Sequence, residues 1–316
     1  MKVEGIDHFH IGVKDLDAAV RFFSDLFDTA FSEIITSDGE GDAQGTVCDL
    51  GGVGVELVSS LTSDGWMAKL LEKRGEGCYG ISFKVPSIDE ARAELEARGL
   101  RVIRRTVVGK AIEAHIHPKD TYDTLIELCE YDAQLPAVLR ALGHGYGPYQ
   151  GSSRTGQPVK RNGILKAQSV DHIHIGVSDL DAGVAFFSNL LNIKFCAVLK
   201  SEPEDDTMAT VGNLGGVGLE LFTGLSPNGW MSQLLEKRGQ GCYGISVRVP
   251  DIDEAIANLR ARGLRVIRRT VVGGAIEAHI HPKDTYGIMI ELIQYESLNA
   301  GVARALGKGY ETYVAR

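Results

Sequence analysis

The stretch DHFHIGVKDLDAAVRFF, residues 7–23, changes its apolar period partway along. Over its first half, Phe9, Ile11 and Val13 alternate with His8 and His10, as on a strand with one packed and one polar face. After Asp15, Leu16, Val20, Phe23 and Phe27 recur at helical spacing. A strand running straight into an amphipathic helix is therefore expected. The same text returns as DHIHIGVSDLDAGVAFF at residues 171–187. His8 answers His172, an offset of 164 (172 − 8) that holds without a gap at Glu56/Glu220, Trp66/Trp230, His117/His281 and Glu127/Glu291. The period is domain-sized, so the chain is a tandem duplication and not a solenoid.

Working outward within one copy, strands are expected near 30–36, 44–50 and 53–59, with the last turn at Gly51-Gly52. A short helix near 65–74 leads to a strand near 78–85. The helix that follows opens with the capping pair Ser87 and Glu90 and stops at Gly99. Three strands close the copy, near 101–105, 111–117 and 124–131. Each copy is thus two βαβββ units, and the fold class is α+β. The tails ALGHGYGPY and ALGKGYETY also correspond, which gives domains 1–150 and 167–316 joined by an exposed linker, 151–166.

Composition narrows the function classes. At 316 residues and net charge −9, the chain suits two ordinary domains and is a poor non-specific ligand for nucleic acid. Basic residues gather at Arg101, Arg104, Arg105 and Lys110, and again at Arg265, Arg268 and Arg269. They read first as a solvated strand face and second as an anchor for an anionic substrate. The five cysteines are odd in number and scattered, without metal-like spacing, so reduced thiols in a cytoplasmic protein are expected. No signal-peptide pattern or membrane-length apolar run is visible. The expected partner is a small molecule, not nucleic acid or membrane, with homodimerisation left open.

Alternation sorts the chemistry onto one face. Glu56 opposes Val55 and Leu57; Glu113 and His115 oppose Ile112, Ala114 and Ile116; Glu127 opposes Ile126 and Leu128. With helices on the apolar faces, the polar faces form a cup holding His8, His10, Glu56, His115, His117 and Glu127. In copy two these are His172, His174, Glu220, His279, His281 and Glu291. Imidazole and carboxylate are common ligands of divalent ions, whereas an ordinary wet sheet face carries Lys, Thr, Ser and Arg. On this reading Cys78, Gly80 and Ser82 face the cup, while Tyr79 and Ile81 face the packed layer.

At DHFHIGVKDLDAAVRFF, WMAKLLEKRGEGCYGISFKV (66–85) and HIHPKDTYDTLIEL (115–128), the sequence resembles the vicinal oxygen chelate superfamily of glyoxalases, bleomycin-resistance proteins and extradiol dioxygenases. The likeness covers both repeats and is greatest to the methylmalonyl-CoA epimerases. It implies paired βαβββ modules cupped around one metal, with His8, Glu56 and Glu127 as ligands and His172, Glu220 and Glu291 as their counterparts. The family's fourth ligand, a His opening the second module, is Gly80 here and Gly244 in copy two. Water could fill that place, or His10, His115 or His117 could swing in. A second departure is Tyr122-Asp123, where the epimerases have a glycine pair.

The resemblance implies a metal-dependent epimerase or isomerase that binds a substrate through two oxygens and works through a metal-stabilised enolate. His10, His115, His117 and Tyr122, with His174, His279, His281 and Tyr286, are the candidates for proton transfer. An oxygen-rich site favours Mn, Co, Ni or Mg over closed zinc sites. The alternatives are an Fe(II) ring-cleaving dioxygenase, disfavoured by the missing His, a lyase, and a metal-free small-molecule binding protein.

Overall fold

The structure is a computed structural model that describes residues 1–36, 42–108, 111–131, 149, 151, 163–201, 206–272 and 275–295. The repeated tails, Tyr149 excepted, and residues 152–162 of the linker lie outside these.

In the first repeat the elements are β1 (Gly5–Gly12), α1 (Leu16–Phe27), β2 (Ile35–Thr36), β3 (Ala43–Asp49), β4 (Gly54–Ser60) and α2 (Trp66–Arg74), then β5 (Gly77–Lys84), α3 (Ile88–Ala97), β6 (Val102–Val108), β7 (Ala111–Ile116) and β8 (Leu125–Glu130). The second repeat runs β9 (Ser169–Gly176), α4 (Leu180–Leu191), β10 (Leu199–Ser201), β11 (Thr207–Leu214), β12 (Val217–Gly224), α5 (Trp230–Arg238), β13 (Gly241–Arg248), α6 (Ile252–Ala261), β14 (Val266–Val272), β15 (Ala275–Ile280) and β16 (Met289–Tyr295). Asp15 caps α1 by accepting from Ala18 N, and Ser87 caps α3 by accepting from Glu90 N. The strand expected over 30–36 is pared to Ile35–Thr36.

Each repeat is one eight-stranded mixed sheet, ordered β2-β3-β4-β1-β5-β8-β7-β6 in the first and identically in the second. β1 runs parallel to β4 and antiparallel to β5, and β5 runs parallel to β8. Strand one of each module is therefore central, and the two modules meet along β1 and β5. Helices cover one face. Phe9, Ile11, Phe23, Phe27, Ile81 and Phe83 are buried there, in an apolar core continuous with residues of the second repeat.

Three expectations change. Cys78 and Cys242 are joined by a disulfide that ties β5 to β13; only Cys48, Cys129 and Cys196 are free, all buried. The 164-residue offset of the duplication is also the spacing of this bridge, because symmetry-related strands meet at the seam. The end of the linker is not exposed: Ile164 and Leu165 are buried, and their N–H groups donate to Asp25 O and Leu26 O at the end of α1. The side chains that their sequence order exposes are thus captured by the first repeat. Finally, Tyr122 and Tyr286 leave the cup for the other repeat, Tyr122 packing on Phe186 and Phe187 and Tyr286 on Phe22 and Phe23. Among the described residues, no helix is long and apolar enough to cross a membrane.

Closing so long a loop makes the bridge worth up to about 5 kcal/mol in the chain-entropy account. Cys78→Ser with Cys242→Ser should lower the urea midpoint accordingly, and reductant should shift the wild type but not the variant. Identical midpoints would show that the seam does not need the bond.

Candidate metal centre

Strand pairing, not sequence proximity, assembles the centre. His10 lies opposite Glu56 across β1 and β4; Ser82 lies opposite Glu127 across β5 and β8; His115 lies opposite Glu127 across β7 and β8. Neighbouring strands are about 4.8 Å apart, so opposed side chains meet directly. His8 Nε2 lies 3.2 Å from Glu127 Oε1 and 3.7 Å from Glu56 Oε2. His10 Nδ1 lies 2.5 Å from Glu56 Oε2, and His115 Nε2 lies 2.9 Å from Glu127 Oε2. The second repeat reproduces this: His172 Nε2 is 3.5 Å from Glu291 Oε1, His279 Nε2 is 3.1 Å from Glu291 Oε2, and His174 Nδ1 bonds Glu220.

Two β-bulges shape the cup. On β1 the register shifts between Ile6 and His8, so Asp7 is the extra residue, as Asp171 is on β9. Its carboxylate is turned onto its neighbour: Asp7 Oδ1 is 2.7 Å from His8 Nδ1, and Asp171 Oδ1 is 2.9 Å from His172 Nδ1. That contact fixes the ring and aims Nε2 at the cup, the support usual for a metal-binding histidine. Tyr131 and Tyr295 donate to these aspartates. Alternation could not assign this role to Asp7, because the bulge breaks the alternation; the Asp-His pair repeated at 7–8 and 171–172 was the available signal.

The second bulge falls where His10 pairs with Gly80 but Ile11 pairs with Cys78. Tyr79 is therefore the extra residue and joins the cup side, its ring stacked 5.5 Å from that of His10, while Cys78 turns into the core. This reverses the expected faces of Cys78 and Tyr79. His117 and His281 are also displaced: each caps the one-turn 3-10 helix that follows, its Nδ1 accepting from the N–H of Lys119 or Lys283. Trp66, the first residue of α2, also borders the cup. The cup of the first repeat is a solvent-open cleft of about 590 Å³ lined by His10, Glu56, Trp66, Tyr79, His115 and Glu127, among others.

Buried polar groups normally have partners, so the exceptions are informative. His10 Nε2 and His174 Nε2 are buried without a hydrogen-bond partner, each within its His/Glu cluster. His8, His10 and Glu127 offer ligand atoms within 4.8 Å of one another, as do His172, His174 and Glu220. Imidazole and carboxylate donors around an unsatisfied centre fit a divalent ion. Burial opposes a charged His8, but Asp7 and Glu127 outweigh it and raise its pKa well above the usual histidine value; His172 is raised to about 10 for the same reason. Burial likewise opposes charge on Glu127, yet His10, His115 and His8 hold its pKa well below the usual carboxylate range.

These shifts fix the sign of a pH effect. A raised histidine pKa means that the metal-free fold gains stability from the proton below about pH 6.5 and loses it as pH rises through about 10 at His172. A metal ion must displace that proton. Metal affinity at the second site should therefore rise about tenfold per pH unit between about 7 and 9, with about one proton released, in calorimetry across buffers of different ionisation enthalpy. A flat profile would mean that His172 binds no metal.

A family model described as the glyoxalase/bleomycin resistance protein/dioxygenase superfamily matches residues 7–116 and again 171–281. The chain belongs to this superfamily. Among curated relatives, it is similar to mitochondrial methylmalonyl-CoA epimerase of Homo sapiens, 28% identical over 149 residues that cover 45% of this chain and 84% of the relative. It is also similar to 2-epi-5-epi-valiolone epimerase of Actinomyces sp, 29% identical over 150 residues, 42% of this chain and 81% of that one. Of solved structures, a mutant 4-hydroxymandelate synthase from Streptomyces coelicolor covers 98% of both chains with a TM-score of 0.69. At 16% identity that likeness shows the fold alone. Both of the curated relatives named here are epimerases, and each aligns with less than half of this chain.

Tyr122-Asp123, where the resemblance to the epimerases implies a glycine pair, and its counterpart Tyr286-Gly287 share one backbone feature. All four residues have positive φ: 54° and 55° in the first repeat, 54° and 75° in the second. Glycine enters that region freely, whereas the tyrosines are held there by their packing across the seam.

Proposed function

We propose that this chain is a metal-dependent epimerase or isomerase that moves a proton beside a carbonyl of a small substrate with two chelating oxygens. In each repeat the ion would be held by His8, His10, Glu56 and Glu127, or by His172, His174, Glu220 and Glu291. A bound divalent ion would supply Lewis-acid polarisation of the carbonyl. The observation that carries this reading is the place of His10 beside Gly80. A Cβ on Gly80 would come within 3.0 Å of His10 Cδ2, so the ring of strand one occupies the space where the superfamily's missing histidine would project.

His115 is the proton acceptor in this reading. Its Nε2 is engaged by Glu127, so the proton rests there and the buried, unpartnered Nδ1 carries the lone pair. His279 repeats the arrangement on Glu291. Tyr79 and Trp66 wall the cleft. Incubating metal-loaded protein in deuterium oxide with methylmalonyl thioesters and other 2-substituted 3-oxo acids should show wash-in of deuterium at the α-carbon by NMR. His115→Gln with His279→Gln should abolish it while leaving metal content intact.

A second reading has one specific support: His8, His10 and Glu127 are two imidazoles and a carboxylate, the ligand type of Fe(II) oxygenases. Oxygen uptake with Fe(II) and a catechol or 2-oxo acid, without deuterium wash-in, would select it over proton transfer.

A further inference from the structure

The arginines read first as a solvated strand face and second as anion anchors pair with neighbouring carboxylates at the surface. Arg101 forks onto Asp120 and Arg265 onto Asp284, while Arg105 lies 3.3 Å from Asp89 and Arg269 lies 3.0 Å from Asp253. Lys110 and the side chains of Arg104 and Arg268 lie outside the described residues. Uncompensated positive charge sits elsewhere, at the seam between the repeats.

A cleft of about 830 Å³, open to solvent, runs along that seam and is lined by Cys78 and Cys242 of the bridge. Among the described residues Lys73, Arg74, Lys237, Arg238 and Lys283 line it, against the carboxylates of Glu76 and Asp123. The two carboxylates do not serve the two halves equally. Arg74 donates to Asp123 through Nη1 to the backbone O at 2.8 Å, and its Nη2 lies 3.3 Å from Oδ1. The position that answers Asp123 in the second repeat is Gly287, so Arg238, which answers Arg74, lacks the carboxylate its counterpart has. Among the described residues no carboxylate pairs with it. Its guanidinium lies 4.2 Å from the centre of the Tyr243 ring and reaches the neighbourhood of Gly77 in the other repeat. Tyr243 is held for this: its hydroxyl donates to Gly239 O at 2.6 Å, and its ring packs on Phe222.

A guanidinium stacked on an aromatic wall, without a hydrogen bond to any other described residue and with lysines lining the same cleft, is an arrangement that recognises a multiply charged oxyanion. We propose that the seam cleft binds a phosphate-bearing anion with Arg238 as its anchor. The five cations face two carboxylates, which leaves room for more negative charge than a single carboxylate brings. His279 lines the same cleft, so an anion held there lies beside the second cup, and a ligand with a phosphate at one end can reach that cup with the other. The anion site itself does not depend on the metal or on the reaction proposed above.

The test is calorimetric titration of the full-length protein with inorganic diphosphate, alongside succinate. Diphosphate should bind and succinate should bind at least tenfold more weakly. Arg238→Gln should weaken diphosphate at least tenfold without lowering Tm, Lys237→Gln should weaken it severalfold, and Arg101→Gln should leave it unchanged. Asp123→Asn, which removes the charge of one of the two carboxylates that line the cleft, should tighten it. The Glu127→Ala, Glu291→Ala variant, which has no metal for diphosphate to chelate, should bind as the wild type does. No diphosphate binding, equal binding by Arg238→Gln, equal binding of succinate, or loss of binding in the glutamate variant would each overturn the proposal. Only the last would do so by relocating the anion to the metal.

Discussion

Replacing Glu127 and Glu291 by alanine together should take the chain from two bound divalent ions to none. Each glutamate is the residue on which its cup converges: Glu127 faces His8, His10 and His115 at 3.2, 3.7 and 2.9 Å, and Glu291 faces His172 and His279 at 3.5 and 3.1 Å. Removing it deletes one donor and leaves the histidines without the negative charge that compensates a dication. Metal content of protein offered Mn, Co, Ni, Fe and Zn in turn, then desalted, gives the stoichiometry. The single variants should each retain one ion. Wild-type protein that retains none of the five would end the metal reading. The metal-free double variant should also be less stable at neutral pH, because protonated His8 and His172 then stay buried with weaker compensation.

The second large effect concerns Gly80 and Gly244. The family pattern suggests that histidine there would complete a ligand set, with both glycines marking vacated coordination places. The structure gives a different reason for them. A Cβ on Gly244 would sit 1.8 Å from Met289 O, and one on Gly80 would sit 2.9 Å from Leu125 O. These are backbone atoms of the parallel neighbours β16 and β8, so the clash cannot be relieved by a rotamer change. Neither glycine has positive φ, so conformational freedom is not the cause. Overpacking in a well-packed interior costs about 1–3 kcal/mol even where side chains can yield. Gly244→Ala should therefore cost about 3 kcal/mol or more, and Gly80→Ala less, as lowered urea midpoints. Gly80→His with Gly244→His should fail to fold or bind metal more weakly. A folded double variant with tighter metal binding would restore the ligand-replacement view and remove His10 from the set.

Much of this protein was legible in its sequence. The duplication, the two βαβββ units and the cap at Ser87 follow from period, turn residues and capping chemistry, all of which act over a few residues. Alternation placed His8, His10, Glu56, His115 and Glu127 on one face, because each strand that carries them is regular at those positions. What only the tertiary structure decided depends on strand pairing. The bulges at Asp7 and Tyr79 put an aspartate behind His8 and a tyrosine into the cup, and they send Cys78 away from it, since one extra residue inverts the alternation beyond it. The bond from Cys78 to Cys242, and the removal of Tyr122 and Tyr286 to the opposite repeat, arise because the repeats pack against each other about corresponding strands. The pairing of Arg74 with Asp123, which leaves Arg238 uncompensated, depends on the same packing. Local sequence sets the direction of a side chain on its own strand; which other strand it meets is set by closing a loop of tens to hundreds of residues, and no local pattern encodes that partner.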